Sequence, residues 1–163
     1  MGYRFVELDS QRRSVTLRAP GMALDFGAIA KGIAADAALH VLRAKGLPRA
    51  MVAAGGDIAV GDAPPGATGW RIEVPGYDST IVLANRGVST SGGANQYVEI
   101  GGVRYSHIVD PRTGRGVTRS GSVTVIAPTA TESDGLATAL WVIGKERGSE
   151  LAKHQGVDAL WLP

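Results

Sequence analysis

The chain has 163 residues, 44% of them apolar and 20% charged, and a formal net charge of +2. That balance suits one folded domain with its own core and excludes a disordered chain, while no apolar run approaches the roughly 20 residues of a membrane-crossing helix. Despite a pI of 9.2 there is no basic tract and little aromatic interleaving, which argues against nucleic acid as a partner, and the lack of cysteine excludes disulfides and thiolate metal sites.

Residues 3–8 and 14–18 alternate apolar and polar around Asp9–Arg13, the pattern of a β-hairpin. A glycine-bearing loop over 19–32 enters a helix read over 28–45. Its Ile29, Ile33, Ala37, Val41 and Leu42 recur at helical spacing, and Gly46 stops it. Residues 50–54 read as a short buried strand, followed by Gly55-Gly56-Asp57 and a further strand over 58–61. A loop, DAPPGATG, precedes a second hairpin over 70–74 and 80–84. GVSTSGGANQ (87–96) reads as a polar, glycine-rich loop. YVEI and VRYSHIV pair across Gly101–Gly102, a favoured two-residue turn. The β-branched run 122–127 predicts a central strand. Thr129 and Glu132 stand at capping-box spacing before a helix through roughly 130–143 that Gly144 ends. A short helix near 146–154 and a strand from Asp158 close the chain. The expectation is one α+β domain over 1–163, a mostly antiparallel sheet packed with two main helices. MGYRFVELDS has no apolar core, so no signal peptide is read here.

Several residue groups can carry chemistry. Asp25 precedes a helix start and Lys31 lies on the first turn. With Gly27 and Gly32 nearby, they suit either an anion site or a plain aspartate cap beside a solvated lysine. Gly55 and Gly56 after a strand allow backbone to touch a ligand or simply make a turn. Ser89-Thr90-Ser91-Gly92-Gly93 offers hydroxyls and amides to a phosphate, or a simple linker. Asp134 and Thr138 share one helix face at i, i+4; carboxylate plus hydroxyl suits a hard ion such as Mg²⁺, or else a solvated acid and a threonine bonded back to its helix. Of three histidines, His40 and His154 read as surface residues. His107 instead lies beside Ser106, Asp110 and Arg112, where it serves either structure or general-base chemistry.

DFGAIAKGIAADAA, VAAGGDIAV, GVSTSGG, RYSHIVDPRTGRGV and SVTVIAPTATESDGLATAL resemble, in that order, the signature blocks of the ApbE family of FAD:protein FMN transferases. The resemblance implies Mg²⁺-dependent cleavage of FAD at its pyrophosphate, attachment of FMN to a threonine of a target flavoprotein, and release of AMP. It implies Asp134 and Thr138 as metal ligands, completed by the carbonyls of Ala28 and Ala137. Asp25, Lys31, Gly55, Gly56, Asp57 and Ile108 would meet the flavin nucleotide, and His107 would activate the acceptor threonine. Asp110 and Arg112 would hold the turn in shape.

The resemblance covers only the C-terminal half of the family's usual length. It departs at STSGGANQY, where the family usually carries an aromatic or charged residue. Family members are typically exported or membrane-anchored, and these residues fix no compartment. A homo-oligomer or a separate N-terminal chain would cover what the missing half normally covers. The readings are thus a transferase, a truncated flavin-binding module without transferase activity, and a remnant fold with neither property.

Overall fold

In the computed structural model, residues 2–93 and 96–163 are described. A 3-10 turn over Tyr3–Phe5 leads into β1 (Val6–Asp9) and β2 (Ser14–Leu17). There follow α1 (Ala30–Ala44), β3 (Met51–Ala54), β4 (Asp57–Val60), β5 (Trp70–Glu73), β6 (Thr80–Leu83) and β7 (Arg86–Gly92). The chain continues through β8 (Tyr97–Ile100), β9 (Val103–Ser106), β10 (Val109–Asp110), β11 (Arg115–Gly116) and β12 (Ser122–Ala127). It closes with α2 (Ala130–Ile143), α3 (Lys145–Gln155) and β13 (Asp158–Leu162).

One five-stranded antiparallel sheet, ordered β13-β12-β7-β4-β3, forms the centre. The helices line up on one face in the same order as the strands beneath them. α1 lies over β3 and β4, α2 over β7 and β12, and α3 beside α2 and β13. Alternation along β12 divides the core. Val123, Val125 and Ala127 meet Leu140 and Trp141 of α2. On the opposite side Ile126 joins Val88, Val60 and Ile72 beneath the β5–β6 hairpin. The fold is therefore α+β, with helices, sheet and hairpin in three layers.

Local chemistry explains most boundaries. Gly101 and Gly102 both take positive φ, which the tight β8–β9 turn requires. Thr129 Oγ1 accepts from Glu132 N at 3.2 Å and so starts α2, as the capping spacing predicts. Gly46, at φ +80°, follows α1 and ends it. His40 and His154 are exposed.

Three expectations change. The stretch 87–96 is largely strand: Arg86–Gly92 is β7, the middle strand of the sheet, while Ala94 and Asn95 lie outside the described residues. Its glycine and serines look loop-like because they face α2 at close range. A Cβ on Gly87 would collide with the Thr129–Ala130 backbone. The 50–54 strand is not buried. β3 is the outer strand of the sheet, and its residues alternate exposed and half-buried. Residues 3–5 form a 3-10 turn rather than a strand. The helix read near 146–154 forms as α3, beside the two main helices.

Candidate active site

The α1 start, the β3–β4 turn and α2 converge on Lys31. Its Nζ lies 3.1 Å from Asp57 Oδ2, 3.5 Å from Asp134 Oδ1 and 3.3 Å from the carbonyl of Gly27. Gly55 and Gly56 make the two-residue turn that delivers Asp57, and both need positive φ. A Cβ on Gly55 would sit 3.3 Å from Lys31 Cδ, so the turn folds directly against the lysine stem.

Asp57 and Asp134 are each 3% exposed. Burial pushes the Asp57 carboxyl above its ordinary range; Ser89 and Lys31 oppose that rise, and neighbouring Asp134 adds to it. Burial also works against the Lys31 ammonium, yet Asp57 and Asp134 outweigh it and hold the lysine charged. Two buried carboxylates thus share one ammonium. Among the described residues Asp57 Oδ2 has no aligned hydrogen bond; its 3.1 Å approach to Lys31 is a charge contact.

Asp134 is also tied to backbone: its Oδ2 accepts from Gly32 N at 2.9 Å. One turn further along α2, the Thr138 hydroxyl shares a 3.1 Å bond with Ser91 of β7. Ala28 is half-buried in the loop before α1, and Ala137 is fully buried in α2. Among the described residues no three His, Asp or Glu side chains gather as a metal cage. A bound cation would therefore rely on one or two carboxylates, a hydroxyl and carbonyl oxygens, which is the donor set Mg²⁺ accepts. The excess negative charge and the unsatisfied Asp57 oxygen fit such an ion.

Asp25 is neither a helix cap nor part of this cluster. α1 starts at Ala30, and the exposed Asp25 Oδ1 accepts from Gly27 N at 2.6 Å, shaping the approach loop instead. Ser89, Thr90 and Ser91 do not form a phosphate cradle. Their hydroxyls bond to Ser133, Thr124 and Thr138 inside the fold.

His107 follows the end of β9 and is exposed. Its Nδ1 lies 3.2 Å from the Gln96 carbonyl, which also accepts the His107 backbone N–H at 3.0 Å. A carbonyl only accepts, so the neutral ring would carry its hydrogen on Nδ1 and leave Nε2 free to accept. Half-buried Ile108 packs against the core under α2, and its N–H donates to Ser106 Oγ at 3.1 Å. The turn beyond is closed by Arg112, whose Nη2 and Nε donate to the Asp110 carboxylate at 2.7 and 2.9 Å. That contact holds Asp110 down at about 2.

The expected residues therefore fall into two groups. Lys31, Gly55, Gly56, Asp57 and Asp134 meet directly, with Thr138 one turn away. His107, Ile108, Asp110 and Arg112 form the second group, and no hydrogen bond or ion pair among the described residues joins it to the first. α2 spans the gap. Asp134, Thr138 and Trp141 share a face over about 10 Å of helix, and a Cβ on Gly93 would sit 3.7 Å from the Trp141 ring and 3.8 Å from Ser106 Cβ.

The sequence reading missed Asp36. This α1 carboxylate accepts from Ala130 N at 2.9 Å and from Thr131 N and Oγ1 at 2.8 and 2.6 Å. The available signal was a pair of matching repeats, Gly32-x-x-x-Asp36 and Ala130-x-x-x-Asp134, each a small residue one turn before an aspartate.

A family model described as "ApbE family" matches residues 1–161. The chain is 39% identical to a FAD:protein FMN transferase of Treponema pallidum over 91% of this chain and 46% of that protein. It is 37% identical to one of Vibrio cholerae over 88% of this chain and 45% of that protein. A crystal structure of the Pseudomonas stutzeri flavinyl transferase ApbE superposes with a TM-score of 0.83 at 33% identity, covering 98% of this chain and 51% of the other. The chain spans about half the length of the curated relatives it matches. A match that runs nearly end to end here, carried by both sequence and fold, shows that the chain belongs to the ApbE family.

Proposed function

We propose that the chain is the catalytic portion of a Mg²⁺-dependent transferase that moves FMN from FAD to a threonine hydroxyl of a target flavoprotein and releases AMP. The observation that carries this reading is Lys31 held between the buried carboxylates of Asp57 and Asp134. A lysine alone cannot balance both acids, and a pyrophosphate brings more negative charge still. The centre is built to share its carboxylates with a second cation. Relatives named FAD:protein FMN transferase supply the substrate class.

The Asp134 carboxylate and Thr138 hydroxyl, with the carbonyls of Ala28 and Ala137, would hold Mg²⁺, which would neutralise charge on the pyrophosphate. Lys31 would bind phosphate oxygens beside it. The Gly55–Gly56 turn, Asp25 and Ile108 would border the flavin nucleotide, with Asp57 keeping Lys31 in place. His107 Nε2 would take the proton as the threonine oxygen bonds to the phosphorus of the FMN half. The phosphorus–oxygen bond to the AMP half breaks, and AMP leaves with the bridging oxygen.

The test is incubation with FAD, Mg²⁺ and an acceptor protein, reading AMP release and flavin fluorescence on the denatured acceptor. AMP and covalent flavin appearing together, both abolished by chelation, is the expected result. FAD binding with no AMP under any metal would sink the transferase reading. It would favour the second one, a flavin-holding module.

A further inference from the structure

We infer that Asp36 is a positioning residue for the proposed cation centre, setting the register of α1 against α2 through a reciprocal pair of helix-end contacts. This rests on the transferase reading for its functional consequence, though not for its geometry.

Each of the two helices begins without enough partners of its own. The α1 N-cap is Ile29, which supplies no side-chain acceptor, and no acid lies in the first turn. The acceptor comes from α2, as Asp134 Oδ2 on Gly32 N at 2.9 Å. At the α2 start Thr129 serves only Glu132 N, by its hydroxyl, and Ser133 N, by its carbonyl. The remaining N–H groups of Ala130 and Thr131 turn to Asp36 of α1. Each helix therefore supplies the anion that satisfies the other's positive end.

The four residues form a rectangle. Gly32 and Asp36 lie one turn apart on α1, and Ala130 and Asp134 one turn apart on α2. Gly32 faces Asp134, and Asp36 faces Ala130. Gly32 makes the approach possible, since a Cβ there would collide with the Ala130 carbonyl. Two opposed contacts one turn apart fix both the rotation and the slide of one helix on the other. A single contact would fix neither. The slide decides where Asp134 sits relative to Lys31, 3.5 Å away and itself on α1. Asp36 touches none of the groups assigned to substrate or metal, so it acts through Asp134.

The first measurement is the backbone amide spectrum of Gly32 in the wild type, Asp36→Ala, Asp36→Asn and Asp134→Asn, well below each thermal midpoint. The Gly32 amide proton should move in Asp36→Ala towards its position in Asp134→Asn, and Asp36→Asn should move it less, because one oxygen acceptor remains. Mn²⁺ affinity should fall about tenfold in Asp36→Ala, in line with the loss seen when partners of metal ligands are removed. A Gly32 amide and a Mn²⁺ affinity both unchanged in folded Asp36→Ala would overturn the inference and leave Asp36 as a stability residue. Should Asp36→Ala not fold, Thr131→Val removes only the hydroxyl bond and gives the same comparison. If the wild type neither binds Mn²⁺ nor transfers FMN while Gly32 still responds to Asp36→Ala, the proposed function fails and the positioning role stands.

Discussion

Partial burial works against the Lys31 ammonium, and two carboxylates outweigh it. Removing Asp57 should have opposite effects on stability and on chemistry, whereas removing Asp134 should harm both. Asp57 is ionised at a cost: its carboxyl is raised, so the folded state loses stability as pH climbs above the ordinary carboxylate range. Asp57→Asn should therefore leave the thermal midpoint unchanged or higher at pH 7 while cutting transfer at least tenfold. A clear drop in the midpoint by calorimetry would show that the Lys31 contact outweighs the burial cost. Asp134→Ala should abolish metal-dependent turnover and cost about 1–3 kcal/mol through the orphaned Gly32 N–H; an unchanged rate would remove the metal assignment. His107→Ala should slow transfer more than it weakens FAD binding, which calorimetry and single-turnover rates separate. Asp110 behaves in the reverse sense to Asp57. Arg112 holds it at about 2, so its stabilising contact is complete above its unfolded value, about 4, and is lost only as pH falls through about 2. An NMR titration should find that low value and its return towards the ordinary range in Arg112→Met. Asp134 with Thr138 was legible in sequence because helical spacing alone puts them on one face. The pairing of Lys31 with Asp57 was not, because nothing local links positions 26 residues apart in a loop, a helix and a turn.

At the level of elements, the sheet was legible wherever alternation was strong and hidden where function or packing replaced apolar residues by small ones. β12 is β-branched and buried on both faces, and its sequence says so. β7 lies beside it yet reads as a loop, because Gly87, Ser89 and Ser91 meet α2 at backbone distance and bond to it rather than fill space. Period-two hydrophobicity cannot reveal a strand whose buried partner is a polar helix face. The helices were easier, since capping and glycine stops are local chemistry. Thr129→Ala should cost about 1 kcal/mol. Gly32→Ala and Gly87→Ala force helix α2 away from its seat and should each cost about 1–3 kcal/mol by denaturant unfolding, with Gly32→Ala also lowering metal affinity. A Gly32→Ala protein with wild-type stability would mean that α1 and α2 stand further apart than the contact at Ala130 requires.

For the whole molecule, the distribution of apolar surface is uneven. Leu8 and Val15 face each other on the β1–β2 hairpin at 78% and 50% exposure, and Ile100 and Val103 do so on β8–β9 at 66% and 43%. Neither hairpin joins the central sheet, and β3 leaves one edge of that sheet unpaired. Two-stranded ribbons without a covering layer are marginal by themselves, and an open edge invites another strand. Amide exchange should therefore be slowest in β12 and β7 and fast throughout β1–β2 and β8–β9; uniform protection of all strands would show that something covers the ribbons in solution. Composition totals say nothing about where apolar residues end up.

The Gly32–Asp36–Ala130–Asp134 rectangle joins positions roughly a hundred residues apart, and that separation has a consequence for how the protein comes into being. During synthesis, a nascent chain ending at Pro128 already contains Lys31 and Asp57 but no helix to set against α1. Its first helix would emerge with an unfilled positive end and a buried-to-be aspartate still in water. Loop closure of that length is slow relative to local helix and hairpin formation. The cluster around Lys31 should thus be among the last features to assemble, and a refolding experiment that follows Gly32 amide protection should see it lag behind the β3–β4 turn.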